Sequence, residues 1–246
     1  MYRNYVFDLY GTLVDIHTDE SGTELWEKLA LFYGYYGAVY PPEELKKRYE
    51  SLCRQKEVEM KSSMESHDAH EACPEIQIEE VFEVLFLEKG VQPELSLCVH
   101  AGQFFRALST EYVKLYEGVP KMLEQLKKSG GNLYLLSNAQ RIFTEYELNY
   151  LDIRKYFDGI LISSEYGTKK PDVRFYEILL KKYDLKPGTC IMIGNDVRCD
   201  IEGARKAGMD TFYIHSNISP KEDQRPDSTF CLMKMDIPKV TALLLG

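Results

Sequence analysis

The side chains best suited to chemistry in this chain stand at the ends of apolar runs. Tyr5, Val6 and Phe7 favour a buried strand that stops at Asp8, and Gly11 permits the tight bend that leads on to Thr12. Open α/β sheets place their ligands at the carboxyl ends of strands, so Asp8 stands where a reacting group is useful. A second run ends in Ser137-Asn138, where a hydroxyl can donate to an anionic oxygen. Lys170 precedes Pro171, and Ile191-Met192-Ile193-Gly194 runs into Asn195, Asp196 and then Asp200. Each has an ordinary use when taken singly: a turn-capping acid, a Ser/Asn helix cap, a surface lysine before a helix, an aspartate N-cap. Together they suit attack by a carboxylate on an anionic substrate. A carboxylate is a poor nucleophile unless it is held in line with its target and relieved of repulsion. Were Asp8, Asp196 and Asp200 to share one pocket, they could not all stay ionised cheaply against Lys170 alone. A hard divalent cation resolves this, and Mg²⁺ suits carboxylate and carbonyl oxygens.

The elements that must position these residues follow from periodicity. After the opening strand, Thr18 to Gly22 reads as a loop, and from Glu24 the apolar positions Leu25, Leu29 and Phe32 recur at helical spacing. Further helices start at Pro41-Pro42 and run over Ile78 to Leu87, and Leu97, Ala101, Phe104, Leu108, Tyr112 and Leu115 trace one face of another. Nothing in residues 16–115 reads as a strand. From Pro120 the pattern alternates, with strands at Asn132–Ser137, Gly159–Ser163, Thr189–Gly194, Thr211–His215 and Thr229–Met233 and helices at about 140–150, 171–183, 200–207 and 236–244. That alternation is a parallel-sheet pattern, so the helical block interrupts an α/β domain rather than preceding it.

Composition narrows the classes. At 246 residues, 44% hydrophobic and 28% charged, the chain is globular, with neither an apolar stretch long enough to span a membrane nor a signal peptide, so a cytoplasmic location is expected. Its six cysteines contain no Cys-x-x-Cys pair and read as reduced. A net charge of −9 argues against a nucleic-acid partner. It leaves room for a small anionic substrate, because a local lysine and helix N-terminus outweigh the global field. The oligomeric state stays open. His67, Asp68, His70, Glu71 and Cys73 cluster, but without the spacing of a zinc site they read as an exposed bend. Phe32-Tyr33-Gly34-Tyr35-Tyr36 with Tyr40 is either helix-packing core or a lining for a substrate.

The ordered set resembles the haloacid dehalogenase-like (HAD) hydrolase superfamily. Asp8-Leu9-Tyr10-Gly11-Thr12-Leu13 is similar to its first motif and Ser137-Asn138 to its second. Gly167-Thr168-Lys169-Lys170-Pro171-Asp172 is similar to the third, with Lys170 as the functional lysine. Gly194-Asn195-Asp196, Asp200, Gly203-Ala204 and Gly208 are similar to the fourth. The resemblance covers nearly all of the α/β part and implies a Rossmann-like parallel-sheet core from residues 1–15 and 116–246, carrying an inserted all-α cap domain over 16–115 as in the helical-cap (C1) branch. It further implies that Asp8 is the nucleophile of a covalent aspartyl intermediate that water hydrolyses. Thr12, Ser137, Lys170 and the turn at Gly11 would bind the charged oxygens, with Asn138 beside them. Mg²⁺ would be held by Asp8, the main-chain carbonyl of Tyr10 and the fourth motif, whose candidates are Asn195, Asp196 and Asp200.

Departures from the motif leave three functions open. Phosphatases of the superfamily carry an acid/base aspartate two residues after the nucleophile, where this chain has Tyr10, a poor base at neutral pH. Asp-x-Tyr-Gly-Thr is the 2-haloacid dehalogenase form, and two further residues lean that way. Tyr176 matches a site tyrosine of those enzymes, and Arg54-Gln55-Lys56-Glu57 resembles their segment bearing a substrate-gripping arginine. Against them, Asn195-Asp196 and Val197 replace a Ser/Asn pair and a site asparagine, and Asp196 lies where sugar-phosphate mutases of the superfamily place a metal ligand. The reading is therefore a Mg²⁺-dependent phosphohydrolase of a small phosphorylated metabolite, with Asp15, a cap residue or a good leaving group compensating for Tyr10. The alternatives are a metal-independent 2-haloacid dehalogenase and a non-catalytic binding fold.

Overall fold

The structure, a computed structural model, describes residues 2–63 and 72–246. Tyr5, Val6 and Phe7 are fully buried in β1 (Asn4–Phe7), the strand that opens the chain. The chain continues through β2 (Val14–Thr18), α1 (Thr23–Tyr35), α2 (Pro42–Ser63), α3 (Ile78–Leu87), α4 (Leu95–Ser109) and β3 (Thr110–Leu115). Helices and strands then alternate: α5 (Val119–Lys128), β4 (Asn132–Ser137), α6 (Arg141–Tyr150), β5 (Gly159–Ile162), α7 (Val173–Lys182), β6 (Cys190–Gly194), α8 (Gly203–Lys206), β7 (Asp210–Ile214), β8 (Phe230–Leu232) and α9 (Ile237–Leu245).

Six strands form one parallel sheet in the order β5-β4-β1-β6-β7-β8, with β1 pairing β4 on one side and β6 on the other. Parallel neighbours need long crossovers, which the helices supply while covering both faces. Successive side chains point to opposite faces, so Tyr5, Phe7, Leu133, Leu135, Ile191 and Ile193 pack with α5 and α9. Val6, Tyr134, Leu136 and Met192 pack with α7 on the other face. The α/β core follows the alternation in the sequence, with strand ends within about a residue of those expected.

Two expectations are corrected. Residues 16–115 are not free of strands: β2 and β3 form a two-stranded antiparallel ribbon, so the span is not all helix. The helical face drawn through Tyr112 and Leu115 stops at Ser109, because Ser109 and Thr110 turn their hydroxyls back onto the Arg106 carbonyl and Thr110 takes an extended conformation. From there Tyr112 pairs with His17 and Val113 with Ile16. In the other case, the helix expected over 200–207 begins as a π-helical turn at Val197–Glu202, with α8 only its last part.

Helices α1–α4 have a hydrophobic centre of their own, built on Trp26, Leu29, Tyr33, Phe82, Phe86 and Phe105. Tyr33 stacks on Phe86 at 4.1 Å and donates to the Phe82 carbonyl, and Tyr40 donates to the Leu85 carbonyl, so these two rings are packing core, whereas Tyr35 is exposed. His67, Asp68, His70 and Glu71 lie outside the described residues. Among the described residues no helix is long and apolar enough to cross a membrane.

Candidate active site

Asp8 is the first residue past β1, and its N–H donates to the Ile193 carbonyl of β6 at 2.9 Å, which fixes it at the carboxyl edge of the sheet. Its own turn and the loops that follow β4, β5 and β6 bring the other groups of the site to this edge. Lys170, 3% exposed, donates to Asp8 Oδ1 and to Asp200 Oδ1, each at 2.7 Å. Thr12 lies within 3.3 Å of both Asp8 Oδ2 and Asn195 Oδ1. Ser137 closes β4, fully buried, with its hydroxyl making no hydrogen bond. A buried hydroxyl without a partner is costly, and it is available to an incoming acceptor.

Electrostatics follow from burial. Loss of water pushes the Asp8 carboxyl up to about 6, opposed by Lys170 and reinforced by Asp200. Asp200 is raised for the same first reason, with Lys170 opposing. Burial works against the Lys170 charge, yet Asp200 and Asp8 together hold its pKa above the ordinary lysine value. The ammonium is thus the fixed positive centre of the site. Asp200 is bound further by the N–H groups of Asn195 and Asp196, both at 3.0 Å, and a Cβ at Gly194 would collide with its carboxylate. That contact accounts for a glycine at the end of β6.

Other expected site residues are placed differently. Tyr10 turns its hydroxyl towards α6, where it donates to Glu147 at 2.5 Å and meets Thr144 at 3.1 Å. Burial and Glu147 raise its pKa well above the ordinary tyrosine value, so it does not serve as a base. Asn138 clamps Lys170, accepting its N–H at 2.8 Å and donating to its carbonyl at 2.9 Å, so its amide positions the lysine rather than gripping substrate. Gly11 has φ +87° and lies against the Asn195 side chain, and its N–H closes the turn on the Val14 carbonyl at 2.7 Å. It shapes the loop rather than donating to a ligand. Tyr176 is fully buried, with its hydroxyl donating to the Cys199 carbonyl, and so presents no group to a substrate. Arg54 is exposed on α2, and no hydrogen bond or ion pair ties it to the Asp8 cluster. Asp15 accepts from Tyr112 at 3.2 Å and Asn217 at 2.9 Å, with Lys114 3.4 Å away, so its carboxylate is engaged in the ribbon and its neighbours.

The donors suit a hard cation only in part. Asp196 accepts the Cys199 N–H on one oxygen at 2.7 Å, capping the π-helical turn, and leaves its second oxygen to another partner. Asn195 directs its carbonyl oxygen at Thr12. Asp200 is enclosed by Lys170 and two N–H groups and is better suited to orienting the lysine than to ligating. Among the described residues no three acidic, histidine or cysteine side chains are grouped to hold a metal by themselves. Mg²⁺ asks for less, since one or two carboxylates with main-chain oxygen and water suffice. Asp8, Asp196 and the Tyr10 carbonyl are oxygen donors of the kind it takes.

Several residues were not singled out by sequence reasoning. Thr144 and Glu147 share the buried face of α6 with Leu148, and Arg106 sits among the apolar positions of α4. A charge inside an apolar helical face was the signal available. A second junction joins residues 73–78 to the Lys170 loop: the Lys169 N–H donates to the Cys73 carbonyl at 2.9 Å and the Glu75 N–H to the Gly167 carbonyl at 3.2 Å. Buried Glu75 accepts from Ser163 at 2.9 Å, and Gln140 donates to the Ile76 carbonyl at 3.0 Å.

Comparison with known proteins gives a consistent picture. The family model of haloacid dehalogenase-like hydrolases matches residues 2–208. Glyceraldehyde 3-phosphate phosphatase of Methanothermobacter thermautotrophicus is 35% identical over 100 residues, which is 41% of this chain and 44% of that protein. The match thus spans less than half of that relative. N-acylneuraminate-9-phosphatase of Homo sapiens is 25% identical over 217 residues, covering 87% of this chain and 83% of that protein. Among solved structures, 2-haloacid dehalogenase from Pseudomonas syringae pv. Tomato DC3000 aligns with a TM-score of 0.65 at 18% identity over 100% of both chains, a likeness of fold.

Proposed function

This chain belongs to the haloacid dehalogenase-like hydrolase family, and on that premise we propose that it is a Mg²⁺-dependent phosphohydrolase of a small phosphorylated metabolite, with Asp8 as nucleophile. The observation that carries the reading is the Lys170 bridge between Asp8 and Asp200, together with the unpartnered Ser137 hydroxyl at the end of β4, the strand next to β1, groups suited to tetrahedral anionic oxygens. Phosphatases among the relatives support the same reaction. The helices between β2 and β3 act in this reading as a cap of the C1 type that selects the substrate and excludes water.

Asp8 attacks phosphorus, the bond from phosphorus to the leaving oxygen breaks, and an aspartyl-phosphate forms. Water then cleaves its phosphorus–oxygen bond and returns Asp8 and inorganic phosphate. Lys170 and the Ser137 and Thr12 hydroxyls stabilise the oxygens on which charge accumulates. Asp8, Asp196 and the Tyr10 carbonyl would hold Mg²⁺, which would supply charge neutralisation between carboxylate and phosphate. The Tyr10 hydroxyl is committed to Glu147 and Thr144 and leaves the departing oxygen without a proton from that position. Substrates with acidic leaving groups therefore suit this site best. A dehalogenase reading loses the support of Tyr176 and Arg54, since the first is fully buried and the second joins no bond of the Asp8 cluster.

The test is a panel of phosphoesters, acyl phosphates and short 2-haloacids, run with Mg²⁺ and with chelator. Phosphate release that requires Mg²⁺ and vanishes in Asp8→Asn is expected. Halide release unaffected by chelator, or phosphate release that survives in Asp8→Asn, overturns the proposal.

A further inference from the structure

The turn after Asp8 runs into β2 at Val14, where the ribbon with β3 holds it, and a side chain holds it as well. Gly11, Leu13 and Val14 close it on the Val14 and Leu9 carbonyls, and the Tyr10 ring leaves it to enter a socket between two helices. One wall of that socket is α6, which supplies Glu147 and Thr144, both buried. The other is α4, from which Arg106 donates to Glu147 Oε1 at 2.7 Å and Oε2 at 3.4 Å. The Arg106 guanidinium also lies 5.8 Å from the centre of the Tyr10 ring and 5.3 Å from that of Phe143. The two helices meet closely, since a Cβ on Gly102 would overlap Ile142, and Gln103 donates to the Ile142 carbonyl at 3.3 Å.

We propose that Glu147 is a positioning residue that, with Arg106, clamps Tyr10 and so couples the turn after Asp8 to the seating of α4 on α6. The inference rests on the reading of Asp8 as the nucleophile. Glu147 accepts from both sides: Oε2 takes the Tyr10 hydroxyl, and the guanidinium from the helical block bonds Oε1 closely and Oε2 at longer range. The clamp is complete only with α4 in place, because without Arg106 the Glu147 carboxylate is a buried charge lacking its counter-ion. Its consequence for catalysis is geometric. A misplacement of about 1 Å at a reacting group costs on the order of 10²-fold in rate, so the residue two positions after Asp8 controls kcat through the main chain rather than by carrying a proton.

The experiment compares Tyr10→Phe, Glu147→Gln, Glu147→Ala, Arg106→Ala and the Tyr10→Phe/Glu147→Ala double variant with the wild type. Steady-state phosphate release is measured in Mg²⁺, and amide hydrogen exchange of residues 9–14 is measured without metal or substrate. In Tyr10→Phe and Glu147→Ala, kcat falls about 10-fold with KM within about threefold, and the double variant is no slower than the slower single, as for groups acting as a unit. Glu147→Gln keeps an acceptor for Tyr10 and recovers part of the Glu147→Ala loss, a rescue that a general packing defect does not give. Exchange of the Gly11, Leu13 and Val14 amides speeds up in Glu147→Ala and in Arg106→Ala, which alters a helix that does not carry the turn.

Unchanged kcat in Tyr10→Phe, losses that multiply in the double variant, or unchanged exchange at residues 9–14 in Arg106→Ala overturns the proposal. Should Glu147→Ala fail to fold, Tyr10→Phe and Arg106→Ala carry both readouts. The exchange arm needs no turnover, so it decides the coupling even if no phosphoester in the panel is hydrolysed and the proposed reaction fails.

Discussion

Replacing Lys170 by Met tests the electrostatic centre of the site directly. The wild-type ammonium is 3% exposed and makes two 2.7 Å ion pairs, so Lys170→Met leaves two buried carboxylates without their cation. The losses are unequal. Asp200 keeps the Asn195 and Asp196 N–H groups at 3.0 Å, whereas Asp8 keeps the Thr12 hydroxyl at 3.3 Å as its remaining side-chain donor. Removing one partner of a buried pair typically costs about 3–5 kcal/mol, and with protonation of Asp8 relieving part of the strain we expect about 3 kcal/mol near neutral pH. Asp200→Asn in the same background removes one of the stranded charges, so the double variant should be more stable than Lys170→Met alone by about 1 kcal/mol or more. Urea unfolding in metal-free buffer measures both quantities. Phosphate release, losing the cation that stabilises transferring oxygens, should fall by at least about 10³-fold in Lys170→Met. Stability within about 0.5 kcal/mol of wild type, with no coupling to Asp200, would mean that the bridge contributes nothing and that the site is held by its main chain.

Further outcomes follow from individual placements. Asn138→Ala frees both main-chain groups of Lys170, and kcat should fall by roughly 10-fold while urea stability drops by about 1–2 kcal/mol, the cost of the two lost hydrogen bonds. Gly11→Ala meets the Asn195 side chain from a backbone at φ +87°, so a stability loss above about 1 kcal/mol and loss of phosphate release are expected; wild-type behaviour in both would show that the turn tolerates a Cβ. Arg54→Ala should leave phosphate release within about twofold, surface substitutions being near neutral, and a steep rise in KM would place Arg54 at the substrate after all. Across a leaving-group series, acyl and aryl phosphates should outpace alkyl phosphates by about 10²-fold or more, the size of a missing general acid, and equal rates would reveal a proton donor other than Tyr10.

The sequence carried the sheet and its edge because both are local. An apolar run fixes a buried strand, and the polar residue that ends it must lie at the strand's end, so Asp8 and Ser137 could be placed at the sheet edge from order, whereas Lys170 and Asp200, which lie in later loops, were joined to them by the family resemblance. The ribbon of β2 and β3 was hidden for a related reason. Tyr112 and Leu115 continue the helical spacing of α4 numerically, and only pairing with residues about a hundred positions earlier makes the segment a strand. Side-chain partners were beyond local reading. A tyrosine two residues after Asp8 names a residue type, whereas its role depends on Glu147, 137 positions away, and on Arg106 from another helix. Asn138 likewise reads as a polar residue after a strand until the fold sets Lys170 against it, 32 positions on. Periodicity and turn chemistry thus determined which atoms reach the edge of the sheet. Tertiary packing decided which hydrogen bonds they make there, because a buried polar group takes its partners from whatever the fold brings within about 3 Å.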